Sequence, residues 1–268
     1  MSLFHYTDAN AVLSMMQKKE LWLTDIRFMN DSSEASDGAQ YLVDAIKLLS
    51  PHPHRLNDEA LHHLSQFTLE DVLDGLNDQQ AFICSFSRIA DHLVQWRSYG
   101  SYAIEFDDSL AQDRPPISPC IYDVGAKRSE ALRLVTETRE DIDTELQRGD
   151  DATDYDVMRH IWSLSDAANL FKHPSFLEEN EMRMIRLQLA PSENIKYRVR
   201  GDYVIPYLVV NFELKHVKAI HVGPMKHQEL AVSSLKSLIA KIRTEAYGHD
   251  PFAPKIEVVA SQIPYRQL

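Results

Sequence analysis

Glycine, cysteine, long apolar runs and positive charge are all scarce in this chain. It has 8 glycines in 268 residues. Neither G-x-G-x-x-G nor G-x-x-x-x-G-K-[ST] occurs, so the dinucleotide fingerprint and the P-loop are unsupported, since both need glycine where backbone approaches phosphate. The two cysteines, Cys84 and Cys120, lack metal-ligand spacing and read as reduced, buried thiols. The 12 histidines form no H-E-x-x-H and no cluster with cysteine, so no metal site is expected. No G-x-S-x-G string marks a hydrolase nucleophile. No apolar run approaches the length of a membrane span, and MSLFHYTDAN lacks the basic and apolar segments of a secretory leader. The expectation is a cytoplasmic protein without a membrane partner. Lys and Arg number 28 against 40 Asp and Glu, a net charge of -12. Such a surface repels polyanions at long range, so nucleic-acid contact would have to be local.

Hydrophobic residues make up 44%, enough for a sizeable core in one large domain over 1–268. Alternating segments predict strands at Leu3–Thr7, Leu21–Thr24, Ala81–Ser87, Tyr102–Phe106 and Ile117–Tyr122. More follow at Ile195–Val199, Tyr203–Ile205, Tyr207–Glu213, Val217–Val222 and Ile256–Ala260. Helical spacing covers Ala11–Lys19, a segment from about 33 to Leu49, stretches near 57–67 and 69–76, two runs near 125–148 and 153–171, and Gln228–Ala246. The fold class is α+β, with helical insertions at about 33–76 and 125–171. The turn holding Asn30, Asp31 and Glu34 reads as a capping box.

The stretch from Phe176 to Leu189, FLEENEMRMIRLQL, carries the densest chemistry. On an extended chain Glu181, Arg183, Ile185 and Leu187 share one face, and Met182, Met184, Arg186 and Gln188 the other. Glu179 and Glu181 point the same way, so burial would raise one of their pKa values. Arg183 is placed to neutralise Glu181; an ion-pair ladder is the structural alternative. His5, in FHYT, lies beside the hydroxyls of Tyr6 and Thr7 and reads either as a ligand-binding group or as a satisfied structural histidine. Ser85 and Ser87 end a strand close to Trp96, Tyr99 and Tyr102, aromatics that suit a core or a wall for a ring-bearing ligand. In KYRVR, Lys196, Arg198 and Arg200 share one strand face, as a solvated surface or as a phosphate contact.

FHYT, LWLTDIRFMNDSSEA, FICSFS, QWRSYG, YAIEF, the K-x-x-x-F-x-x-E-x-E-x-R run from Lys172 to Arg183 and the terminal ASQIPYR occur in that order. Together they resemble a bacterial domain-of-unknown-function family, number twenty-nine seventy-one, over nearly the whole chain. The first-strand H-Y-T, the short L-W-L strand, the F-x-x-S strand and a late strand headed by glutamate are also similar to the ADP-ribosyltransferase fold. That resemblance implies a split β-sheet core and an enzyme that takes NAD as substrate, with no metal. His5 would hold the ribose of NAD, Thr7, Ser85 and Arg183 would line the site, Tyr99 would stack on nicotinamide, and Glu181 would stabilise the ribosyl cation. Trp22 and Tyr102 also qualify as the stacking ring. The acceptor would be a nucleic acid or a protein, as in toxin or phage-defence systems. Two other classes remain: a non-catalytic nucleotide- or partner-binding module, and a metal-dependent nuclease built on Glu179 and Glu181.

Overall fold

The computed structural model describes residues 2–29, 34–49, 58–66, 79–112, 116–149, 154–189 and 191–264. The Asp31–Glu34 capping box and the helix near 69–76 fall outside the described residues. The strands are β1 (Ser2–Thr7), β2 (Glu20–Asp25), β3 (Gln79–Ser87), β4 (Tyr102–Asp107), β5 (Ile117–Pro119), β6 (Glu181–Leu189), β7 (Lys196–Arg200), β8 (Tyr203–Asn211), β9 (Val217–Val222) and β10 (Glu257–Ala260). The longer helices are α1 (Ala9–Lys18), α2 (Glu34–Leu49), α3 (Glu59–Ser65), α4 (Leu93–Tyr99), α5 (Val124–Leu146), α6 (Asp154–Ala168) and α7 (Gln228–Tyr247).

The ten strands form one sheet in the order β10-β9-β4-β1-β3-β2-β8-β7, with β6 and then β5 attached to β3. All pairings are antiparallel except β9 with β10. One face packs on α1 and α7: Leu3, Leu21, Leu23, Phe82, Phe86, Ile104 and Phe106 meet Val12, Met16, Leu235 and Ile239. That core follows from the period-two alternation of the strands and the 3.6-residue period of the helices. A second cluster lies among α2, α3, α5 and α6, where Leu42, Ile46, Leu64, Val135, Ile142, Ile161 and Phe171 pack together. The two helical insertions therefore bury their apolar stripes mainly against each other. Gly38 permits this approach, because a Cβ there would sit 2.3 Å from the carbonyl oxygen of Ala168.

Two expectations shift. The stretches Tyr203–Ile205 and Tyr207–Glu213 form a single strand, β8, that runs through Pro206. β2 pairs with β8 only from Tyr207 onward, so the missing Pro206 N–H costs no ladder bond on that side. Only Ile117–Pro119 of Ile117–Tyr122 is strand. Beyond it, Ile121 bridges to Phe171 and ties the helical layer to the sheet.

Candidate functional site

β3 organises the centre. β6 pairs along one edge of it, from Gln79↔Leu189 to Ser87↔Glu181. On the other edge β1 meets it at Phe4↔Ser87 and β2 at Thr24↔Ile83 and Asp25↔Phe82. β1 and β2 thus diverge from a shared neighbour, leaving Cys84, Ser85 and Phe86 without a strand partner on that edge.

The His5 ring enters this gap. Its Nδ1 lies 2.8 Å from the carbonyl oxygen of Ser85. A carbonyl only accepts, so the hydrogen is on Nδ1 and Nε2 keeps its lone pair. Burial lowers the His5 pKa, the bond to Ser85 opposes that, and the positive charge of Arg198 lowers it further. The ring therefore stays neutral. Cys84 Sγ is 3.6 Å from Nδ1, but burial, with the negative charge of Glu181, pushes this thiol up to about 12. It remains protonated and is no nucleophile.

The β2 side of the gap is aromatic and cationic. Trp22, Thr24 and Tyr207 share a face through the β2–β8 register; the pair Thr24↔Ile83 makes it the face of Ser85 and Arg183, opposite that of His5, and Arg198 comes from β7. The rings of Trp22 and Tyr207 are 4.7 Å apart, and the Arg198 guanidinium lies 5.3 Å and 5.8 Å from their centroids. Its Nη2 donates to Thr24 Oγ1 at 2.7 Å. Its Nε is buried without a hydrogen-bond partner, and among the described residues no carboxylate forms an ion pair with it, although the charge of Asp8 acts on it from a distance.

Glu181 lies on the face of Thr24, opposite His5. Ser87 faces Glu181 on one side and Phe4 on the other. Alternation then puts Phe4, Ser87 and Glu181 on one face of the sheet and His5, with Phe86, on the other. The His5 and Phe86 rings are 5.7 Å apart. Glu181 is 5% exposed and receives Arg183 Nε at 2.9 Å. Lys172 Nζ bonds to Glu181 and also to Glu179, the latter at 2.6 Å. Arg183 Nη1 reaches the carbonyl of Asn169 at 2.7 Å, and the Glu181 N–H donates to Tyr122 Oη at 2.8 Å. Burial alone would raise the Glu181 pKa. The charges of Arg183 and Lys172, with their hydrogen bonds, outweigh it and hold the group at about 2. The expected upward shift is thus reversed, because Lys172 places a cation between the two carboxylates.

Of the residues expected to form one site, the structure brings His5, Thr7 and the Ser85 carbonyl to the gap. The side chains of Glu181, Arg183 and Ser85 lie on the opposite face by register. Tyr99 packs there too, with Phe4, Tyr6 and Trp96, whereas Tyr102 sits across from Thr7 and is the aromatic that shares the His5 face. Thr24 and Tyr207 carry the β2 side of the gap and were not singled out from sequence. The alternation of L-W-L-T, with Trp22 and Thr24 two residues apart, was the available signal.

No protein-family model, curated protein or solved structure matches the chain. Among the described residues no group of three or more His, Cys, Asp or Glu is placed to hold a metal ion, and no helix is long and apolar enough to cross a membrane.

Proposed function

We propose that the gap between β1 and β2 binds a nucleotide, and that the chain is an ADP-ribosyltransferase-like protein with NAD as its first candidate ligand. The observation that carries this reading is Arg198. A half-buried guanidinium with an unpartnered Nε and no ion-paired carboxylate among the described residues is a ready site for phosphate, which accepts its fork of donors in two places at once. His5 Nε2, held neutral, supplies an acceptor for a ribose hydroxyl. Trp22 and Tyr207, on the face that carries Arg198, supply ring faces and edges. The divergence of β1 and β2 supports the split-sheet resemblance.

A second reading, nucleotide binding without turnover, is favoured by the state of Glu181. Its carboxylate is buried and held in ion pairs with Lys172 and Arg183. A carboxylate that stabilises a developing ribosyl cation has to reach it.

Calorimetry with NAD and ADP-ribose, alongside chromatographic measurement of nicotinamide release, tests both readings. Binding is expected for the wild-type chain and a loss of tenfold or more for Arg198→Gln, about the worth of one charge-assisted hydrogen bond. Release of nicotinamide supports the transferase; binding without release supports the module. Absence of binding to either compound at millimolar concentration rejects the site.

A further inference from the structure

We infer that the cation-bearing face of the β7–β8 hairpin is a binding strip for single-stranded nucleic acid. β7 ends the sheet, with β8 as its sole strand partner among the described residues. Its register sets Arg200 across from Tyr203, Arg198 across from Ile205 and Lys196 across from Tyr207, so a row of cations runs beside two tyrosines with buried Ile205 between them. Successive cations along β7 stand about 6.6 Å apart, the order of the phosphate repeat in an extended strand. Among the described residues neither Lys196 nor Arg200 has an ion-pair or side-chain hydrogen-bond partner, although the chain carries an excess of acids. Tyr203 is 66% exposed, and its ring meets Phe28 edge to face at 6.4 Å. An exposed ring braced from the side offers its face to a base, and stacking of this kind accepts any base. Arg198 is the junction between this strip and the gap.

The strip has an end. Beyond Lys196 a cleft of about 330 Å³ contains Glu20 and Glu193 along with Arg186 and Asn194, and these carboxylates repel phosphate. The reverse face of the hairpin is different in kind: Tyr197, Val199 and Val204 are exposed there, at 65%, 76% and 61%. An added peptide strand would use that apolar face and the β7 edge; nucleic acid would not.

The inference shares Arg198 with the nucleotide reading and is separated from it by Lys196, Arg200 and Tyr203, which only the strip uses. Fluorescence anisotropy of the full chain with a short labelled oligouridine is the experiment, run across a salt series, with calorimetry for NAD on the same proteins. Binding is expected with a log–log salt slope of about -2, from three cations at about 0.7 each. Tyr203→Ala should weaken it about tenfold. Lys196→Glu with Arg200→Glu should abolish it while leaving NAD binding unchanged, and His5→Ala should do the converse. Tyr197→Ser with Val199→Thr should leave oligouridine binding unchanged, each variant being checked for its melting transition. No binding at low salt overturns the inference. So does equal binding of an alternating glutamate–valine peptide, or an equal loss from the reverse-face pair.

Discussion

At His5 a backbone carbonyl decides the chemistry of a side chain. Donation of Nδ1–H to Ser85 fixes the tautomer, and burial keeps the ring neutral. The consequence for stability has a definite sign. The folded pKa lies below the ordinary value of 6.5, so above 6.5 neither state carries the proton and nothing is lost. As pH falls below it the unfolded chain takes up a proton that the folded chain resists, and stability declines. Urea midpoints measured across this range should fall for the wild type, and His5→Gln should lack that component. Equal pH dependence in both would mean that the ring protonates freely in the folded state.

β6 shows how a cluster of charges works as a fastener between elements. Lys172 and Asn169 follow α6, Tyr122 precedes α5, and all converge on Glu181 and Arg183 of the strand. A buried ion cluster of this kind gains little over an apolar replacement, but removing one member strands the others without a counter-charge. Glu181→Ala should therefore cost about 4 kcal/mol in urea unfolding, leaving NAD affinity of the folded fraction intact. Full stability with loss of nicotinamide release would instead make Glu181 a catalytic group. Much of this was legible beforehand. The alternation of EMRMIRLQL placed Glu181 with Arg183 and Met182 with Met184 on the opposite face; the structure pairs the first two and buries the methionines in the core under the sheet. What alternation does not contain is the register between strands. His5 and Phe4 point to opposite faces in any strand, but which of them shares a face with Glu181 depends on Phe4↔Ser87↔Glu181, a chain of pairings across three strands. Pro206 misled for a related reason: it ends a strand only where its nitrogen needs a partner.

At the scale of the molecule, the two largest apolar clusters among the described residues lie under the sheet and within the helical layer. They connect through a polar seam of side-chain and backbone bonds near residues 117–123 and 169–183, which lets the layers respond unequally to damage. Ile142→Ala, in a fully buried position of α5, should remove about 3 kcal/mol. Hydrogen exchange should then quicken in α2, α5 and α6 while β1, β4 and β9 keep their protection; uniform acceleration would show a single cooperative unit. The gap between β1 and β2 has a further consequence, in time rather than in space. Thr24 and Arg198 are 174 positions apart in sequence, and β2 gains its outer neighbour only when β8 exists. During synthesis, a growing chain carries the early wall of the site long before the late one. The nucleotide site proposed at the gap would therefore be complete in the nascent chain only after β8, through Asn211, has left the ribosome.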